Sequence, residues 1–526
     1  MAATILAARS SRSRRTLAMA GLVRRSVAEI AAGVQVLLGA AVVLIAADRP
    51  SWLTSTHKGA FTSWFAGPLQ GLLPGLTTDR LTLQIAVGDI ELAMLAMWVL
   101  VLIGSRTVRA PAVIASVVTL NVLFLFCPLL RGTDVFNYIG YARLDVVHHL
   151  NPYVHLPLAQ RGDPVYAYSN WHRLKSPYGP LFTIVMLPTA WLPVPVAYWV
   201  YKGFTVLASL GLLGATWACA RKLGRPPAPA VAFVGLNPIL IVWGLGGKHT
   251  EFLMMALVMT GSLLALSRRE LLGGVSLAAA AAIKASAGLL APVIALGMPR
   301  SRRALLGLVV GGVAMVALAY GFFGPHLPDL HDQGRLVSVF SFPNLLGFAA
   351  GRGGADATVR EIALGLSIAG VAVCALYAWR TRRWASAAGA AALIAALAST
   401  WLMPWYLIWA LPLVALSSSR TLRAATLLVT VWFVLVWASV AGPWLKEHGY
   451  HPRTTPVGHA NSLFEKSVLK DPPVKRVRKH RAASATAPIL PRRHASRASH
   501  QGSGARAAGH RHRARRGARH PGAHRR

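Results

Sequence analysis

Residues 111–150 read PAVIASVVTLNVLFLFCPLLRGTDVFNYIGYARLDVVHHL. The first half, 111–130, is an apolar run of the length that crosses a hydrocarbon core, which takes roughly 20 residues of helix. The second half turns polar yet keeps a helical period. From Asp134, steps of four, three and four reach Tyr138, Tyr141 and Asp145, which places two carboxylates and two phenols on one helical face. A membrane segment followed at once by a stripe of acids and tyrosines sets the frame for the rest of the chain.

Outward from that stretch the apolar pattern recurs. Of the 526 residues 54% are hydrophobic and 14% charged, with a mean hydropathy of +0.48, a balance foreign to soluble domains. The expected fold is all-α, a polytopic membrane protein of about 11–13 transmembrane helices with external loops and interfacial helices. Its divisions are a basic cytoplasmic N-terminus (1–26), a transmembrane body (27–445) and a basic disordered tail (446–526). The apolar stretch after RSSRSRRTLAMAGLVRR, residues 9–25, lacks a small-residue cleavage site, which favours a retained anchor. Cys127, Cys219 and Cys374 lie far apart in apolar stretches, so neither a disulfide framework nor a metal site is expected.

The formal net charge of +38 is large enough to raise nucleic acid as a partner, but much of it sits in the final residues and the rest punctuates apolar segments. Lys and Arg clusters beside spans report topology, because they resist translocation. With those clusters in the cytoplasm, residues 27–47 run out, 84–104 return, and 111–130 run out again. The loop opened by Arg131 is then external. Residues 180–193 read as a re-entrant or interfacial piece, 228–245 as an outward span, and 271–297 as two short helices making a hairpin around Lys284. On this count the Asp134 loop, the turn at 246–251, the 324–358 loop and the WLMPWY turn at 401–406 share the external face. That gathering suits an active site at a membrane surface.

Each candidate carries an ordinary alternative. Asp134 can act as a general base towards a bound hydroxyl, or Thr133 or Asp134 can simply cap the helix. His148 and His149 can handle phosphate or protons, or be solvated interfacial residues. In NWHRLKSPYGPLF, 170–182, Arg173, Lys175 and Tyr178 offer a cationic aromatic bend for a lipid phosphate, or an interfacial belt. Lys248, His249 and Glu251 lie in a glycine turn that lets backbone approach a ligand, or hold a local Lys–Glu pair. Lys284 costs about 2.5–3.5 kcal/mol inside a membrane, which a phosphate, a carboxylate or the interface must offset. Arg335 can pair with phosphate. Trp405 can stack on a sugar, or mark membrane depth.

GTDVFNYIGYARL (132–144), NPY (151–153), SPYGPLF (176–182), LNPILIVWGLGGKHTEFLM (236–254) and WLMPWYLIWALPL (401–413) together resemble the actinobacterial branch of the GT-C glycosyltransferases, the polyprenyl-phosphomannose-dependent alpha-1,6-mannosyltransferases and their relatives. The likeness runs in order from about 125 to 415. Where relatives often carry Asn-Asp after the histidine of the glycine turn, this chain has Thr250-Glu251.

The resemblance implies a membrane glycosyltransferase that moves a sugar, mannose by analogy, from a polyprenyl-phosphate donor to a cell-envelope glycan or glycolipid with inversion, at the extracytoplasmic face of the plasma membrane. Asp134 matches the family's catalytic acid. Arg173, Lys175, Lys248, His249, Lys284 and Arg335 become candidates for the donor phosphate, and Tyr138, Tyr141, Asp145, His149, Tyr178 and Trp405 for sugar or acceptor. No cofactor or metal is called for, and the partners are the lipid-linked donor, the acceptor and membrane lipids, with no nucleic acid. A lipid-linked-sugar flippase or transporter is the competing class; its usual internal repeats are not evident in this chain. The tail from KRVRKHR (475–481) onward lacks apolar periodicity. It can hold anionic lipid or wall polymer, or be a reading-frame artefact of GC-rich DNA.

Overall fold

A computed structural model describes residues 2–48, 63–73, 75, 79–130, 132–438 and 440–469, with 2–20, 22 and 80 as backbone only. Arg131 and the expected tail from 470 lie outside the described residues. Within them the chain is helical, with no strand.

The helices are α1 (Ala2–Asp48), α2 (Ser63–Ala66), α3 (Arg80–Gly104), α4 (Ala110–Phe126), α5 (Asp134–Val146), α6 (Pro180–Met186), α7 (Val194–Lys222) and α8 (Pro227–Gly235). There follow a π-helical segment (Ile239–Leu245), α9 (Glu251–Leu266), α10 (Glu270–Ile283), α11 (Ser286–Gly297), α12 (Ser301–Phe323), α13 (His331–Arg335), α14 (Phe342–Ala349), α15 (Ala357–Thr381) and α16 (Trp384–Ala398). A 3-10 turn (Pro404–Trp409) leads to α17 (Leu411–Ala415), α18 (Arg420–Trp437), α19 (Ala441–Glu447) and α20 (Pro456–Leu469).

Six helical stretches are long and apolar enough to cross a bilayer: Val23–Asp48 of α1, Leu81–Gly104 of α3, and α7, α12, α15 and α18. The chain is thus an all-α polytopic membrane protein. Two of their buried polar side chains bond to the backbone of a neighbouring helix. Gln35 donates to the Leu236 carbonyl (2.9 Å), and the Trp98 indole donates to that of Phe233 (3.2 Å). Inside hydrocarbon such bonds stabilise because no water competes for the groups.

The expected total of 11–13 spans is reached only by adding shorter apolar helices. The span read at 228–245 is a bent pair, α8 and the π-helical segment, meeting at 54°. Pro238 removes a helix donor, and the Asn237 side-chain oxygen accepts from the amides of Ile239 (2.9 Å) and Leu240 (3.3 Å), which stabilises the break. The helix within 111–130 has 17 residues, about 25 Å at 1.5 Å per residue. α9 has 16 residues and α16 has 15, and the stretch after them divides into the 3-10 turn and the 5 residues of α17. Proline, glycine and polar residues cut these segments short. Residues 180–193 form a short helix and a 3-10 turn, and 271–297 divides at Lys284 as expected.

The boundary at 446 needs correction. Residues 446–469, expected within a structureless tail, include the end of α19 and all of α20. Thr455 donates to the Gly353 carbonyl (2.6 Å), Asn461 to that of Ala355 (3.2 Å), and the Val468 carbonyl accepts from the Arg173 amide (3.1 Å). Buried Val468, together with Phe464, supplies the apolar contact that this charged composition conceals.

Candidate active site

Asp134 opens α5. Thr133 takes the N-cap position without a side-chain capping bond, and Asp134 turns to the glycine turn instead: its Oδ2 lies 3.2 Å from His249 Nδ1. The pair is close without hydrogen-bond alignment, for Nδ1 has no hydrogen-bond partner. The His249 ring lies parallel to the Trp405 indole, centroids 3.7 Å apart and planes 13° apart. The turn explains this placement. A Cβ at position 247 would stand 2.2 Å from His249 Nε2, so glycine there leaves room for the ring, while Lys248 takes a left-handed φ of 56°.

Lys248 leaves the site. It is fully buried, its ammonium donates to the Phe124 carbonyl at the end of α4, and burial pulls its pKa down to about 8. A helix C-terminus favours such a cation. Glu251, buried at the start of α9, does not pair with it. Its carboxylate meets the ammonium of Lys284. Lys284 interrupts α10 and α11 in an extended conformation (φ −153°, ψ 130°), with Nζ 5.1 Å from the Tyr406 ring centre and 5.9 Å from that of Trp409. The charge inside the membrane body is thus offset by a carboxylate and two aromatic faces.

The Ser-Pro-Tyr-Gly-Pro bend docks on the same break. The Gly179 amide donates to the Ile283 carbonyl (3.0 Å), and a Cβ on Gly179 would come within 2.1 Å of the Ala282 oxygen. The contact brings in Tyr178, which meets Tyr138 edge-on at 4.8 Å and lies parallel to Trp171 at 6.1 Å. Burial, reinforced by the charges of Asp134 and Glu251, pushes the phenols of Tyr138, Tyr178 and Tyr406 well above the usual tyrosine range. All three therefore stay neutral, with hydroxyls able to donate.

Beside Lys284 is a cavity of about 210 Å³, bordered also by Pro177, Gln333, Thr400, Trp401 and Tyr406. Asp134 and His249 are not among its lining residues. A chain of contacts from Asp134 to His249, Trp405, Tyr406 and Lys284, with Tyr138 against Tyr178, nonetheless gathers these residues in one region.

The remaining candidates have other surroundings. Tyr141 donates to the Leu174 carbonyl (2.7 Å), and Arg335 lies 4.2 Å over the Phe464 ring. Arg173 and Lys175 are half-buried, and the Lys175 carbonyl accepts from Tyr141 (3.3 Å). Asp145 is half-buried, its pKa raised by burial against the opposing pull of the exposed His149. His148 braces the fold: with Arg143 Nε at 2.9 Å and His148 Nε2 at 2.8 Å, Asp163 is held below the carboxylate range although burial alone would raise it.

Sequence reasoning missed the Glu251–Lys284 pair, having read Glu251 with its neighbour Lys248. It also missed Trp409 and Gln333. The cost of an unpaired Lys284 was the usable signal, since it demanded a carboxylate or its equivalent.

A family model for the alpha-(1->6)-mannopyranosyltransferase N-terminal domain matches residues 18–300. The chain is 25% identical over 331 residues to alpha-(1->6)-mannopyranosyltransferase A of Corynebacterium glutamicum, covering 54% of this chain and 66% of the relative, just under two thirds of its length. It is 28% identical over 407 residues to the protein of the same name from Mycobacterium tuberculosis, covering 69% and 76%. No solved structure matches. The family match takes in Asp134, Glu251 and Lys284 but ends before Trp405 and Tyr406. Since it spans more than half of the 526 residues, the chain belongs to the alpha-(1->6)-mannopyranosyltransferase N-terminal-domain family of glycosyltransferases.

Proposed function

We propose that this protein transfers mannose from a polyprenyl-phosphate donor to a hydroxyl of an envelope glycan or glycolipid, with inversion, at the extracytoplasmic face of the plasma membrane. The observation that carries the reading is the meeting of a partly accessible carboxylate, Asp134, with His249 in the region where Lys284 borders an aromatic cavity. The outward orientation rests on the positive-inside tendency of the basic segments at the opposite helix ends.

In the proposed reaction the acceptor oxygen attacks the anomeric carbon while its proton passes to an Asp134 carboxylate oxygen. The new glycosidic C–O bond forms as the bond from the anomeric carbon to the phosphate oxygen breaks, and that electron pair leaves with polyprenyl phosphate. Lys284, held by Glu251 and able to make further hydrogen bonds, would steady the departing charge. The Trp405 indole, stacked on the His249 ring, offers an aromatic edge to the sugar, and the neutral tyrosine hydroxyls offer donors to its oxygens.

The test is to supply the purified protein with labelled mannose on polyprenyl phosphate or on a nucleotide, with an alpha-mannan acceptor. Transfer from the lipid donor alone, giving an alpha linkage from a beta donor, is expected. Transfer from the nucleotide donor, or movement of the lipid-linked sugar across vesicles without glycosidic bond formation, would replace this reading.

A further inference from the structure

The end of the helical body away from Asp134 carries a second cleft. The 17 residues of α4 separate the two ends by about 25 Å, since Cys127 at its C-terminus leads into the Asp134 segment while Arg109 precedes its start. At that far end a cavity of about 960 Å³ opens between the end of α3, the start of α8 and the start of α18. Arg106, Arg225, Arg420 and Arg423 line it, and no carboxylate does so among the described residues. Deeper in, Leu102, Phe233 and Leu427 give it apolar walls.

Cationic residues at helix ends can do no more than fix topology. Two observations set this group apart. The guanidinium of Arg225 donates to the Leu416 carbonyl and that of Arg423 to the Ser417 carbonyl (2.7 Å), so both are oriented by consecutive backbone groups. Arg225 is half-buried, and burial together with the like charge of Arg423 destabilises its cationic form, a repulsion that a bound anion would relieve. Glu29, beside the start of α4, is already engaged by Arg25 (3.2 Å) and Arg109 (2.7 Å).

We infer that this cleft binds the phosphate headgroup of an anionic phospholipid from the leaflet opposite the Asp134 site, with its acyl chains along the Leu102, Phe233 and Leu427 wall. Arginine suits the role because its planar fork can bind a phosphate through two oxygens at once. Apolar walls beside the charges favour a lipid over a free anion.

The experiment is native mass spectrometry of the full, delipidated protein titrated with phosphatidylglycerol or phosphatidylcholine, with and without millimolar inorganic phosphate. Retention of phosphatidylglycerol over phosphatidylcholine is expected, unaffected by inorganic phosphate. Removing arginines as R225Q/R423Q should weaken it by roughly fivefold per charge. Arg106 and Arg420 are exposed, so R106Q/R420Q carries the same expectation should the first variant fold poorly. The exposed pair at the start of α12, changed as R302Q/R303Q, should leave retention unchanged. Equal retention of both lipids, displacement by phosphate alone, or an equal loss in R302Q/R303Q would overturn the assignment.

Discussion

The two ends of the helical body treat charge differently. At the arginine cleft, cations sit at helix ends and the turns beside them, and Arg106, Arg420 and Arg423 are largely exposed. At the Asp134 end, charge arrives on broken backbone. His249 follows a left-handed Lys248, Lys284 is extended between two helices, and Trp405 and Tyr406 belong to a 3-10 turn. A regular helix satisfies its own backbone and directs side chains sideways. Only a break can aim a charge along the helix axis into a shared interior, so the candidate chemistry collects where helices stop.

The same contrast separates two inward-facing lysines, Lys248 buried and Lys284 half-buried. Lys284 faces Glu251 and the cavity, whereas Lys248 faces a backbone carbonyl. Lys284→Met should have the larger effect, lowering stability in detergent by about 3–5 kcal/mol by stranding Glu251. The double variant E251Q/K284M should recover much of that loss in thermal unfolding. Recovery of stability without recovery of transfer would divide the pair's structural role from its proposed role at the phosphate. Lys248→Met should cost about 1–3 kcal/mol through the unpaired Phe124 carbonyl, with the rate per folded molecule close to wild type. A K248M enzyme that is stable but inactive would erase the distinction between the two lysines.

Trp405→Ala tests the aromatic side of the broken end. Loss of the stacked ring should free His249 and weaken transition-state binding by about 0.5–1.5 kcal/mol, read as a fall in kcat/KM. The smallest effect belongs to His149→Ala, on an exposed residue, with a change in stability within about 0.5 kcal/mol and unaltered transfer.

The stripe from Asp134 to Asp145 was legible because helical spacing alone places those residues on one face. The hairpin at Lys284 was legible from basic flanks at both ends of an apolar stretch. What Lys284 meets was not: Glu251 lies a full helix and more away in sequence, and only packing of α9 against α10 joins them. Periodicity also treats Tyr138 and Tyr141 alike, yet Tyr141 is spent on the Leu174 carbonyl while Tyr138 faces Tyr178. The break at Asn237-Pro238 was hidden because the apolar run looks continuous by hydropathy. The late helices were hidden because Phe464 and Val468, one turn apart, suffice to dock a segment that is otherwise largely polar.

The central claim is that Asp134 receives the acceptor proton. The most direct measurement is the single-turnover rate of Asp134→Asn, with the lipid donor prebound at saturation and labelled acceptor added. A fall of about 10²–10⁴-fold with unchanged donor affinity is predicted, since the amide keeps the shape and removes the base. A rate within a few-fold of wild type would contradict the account.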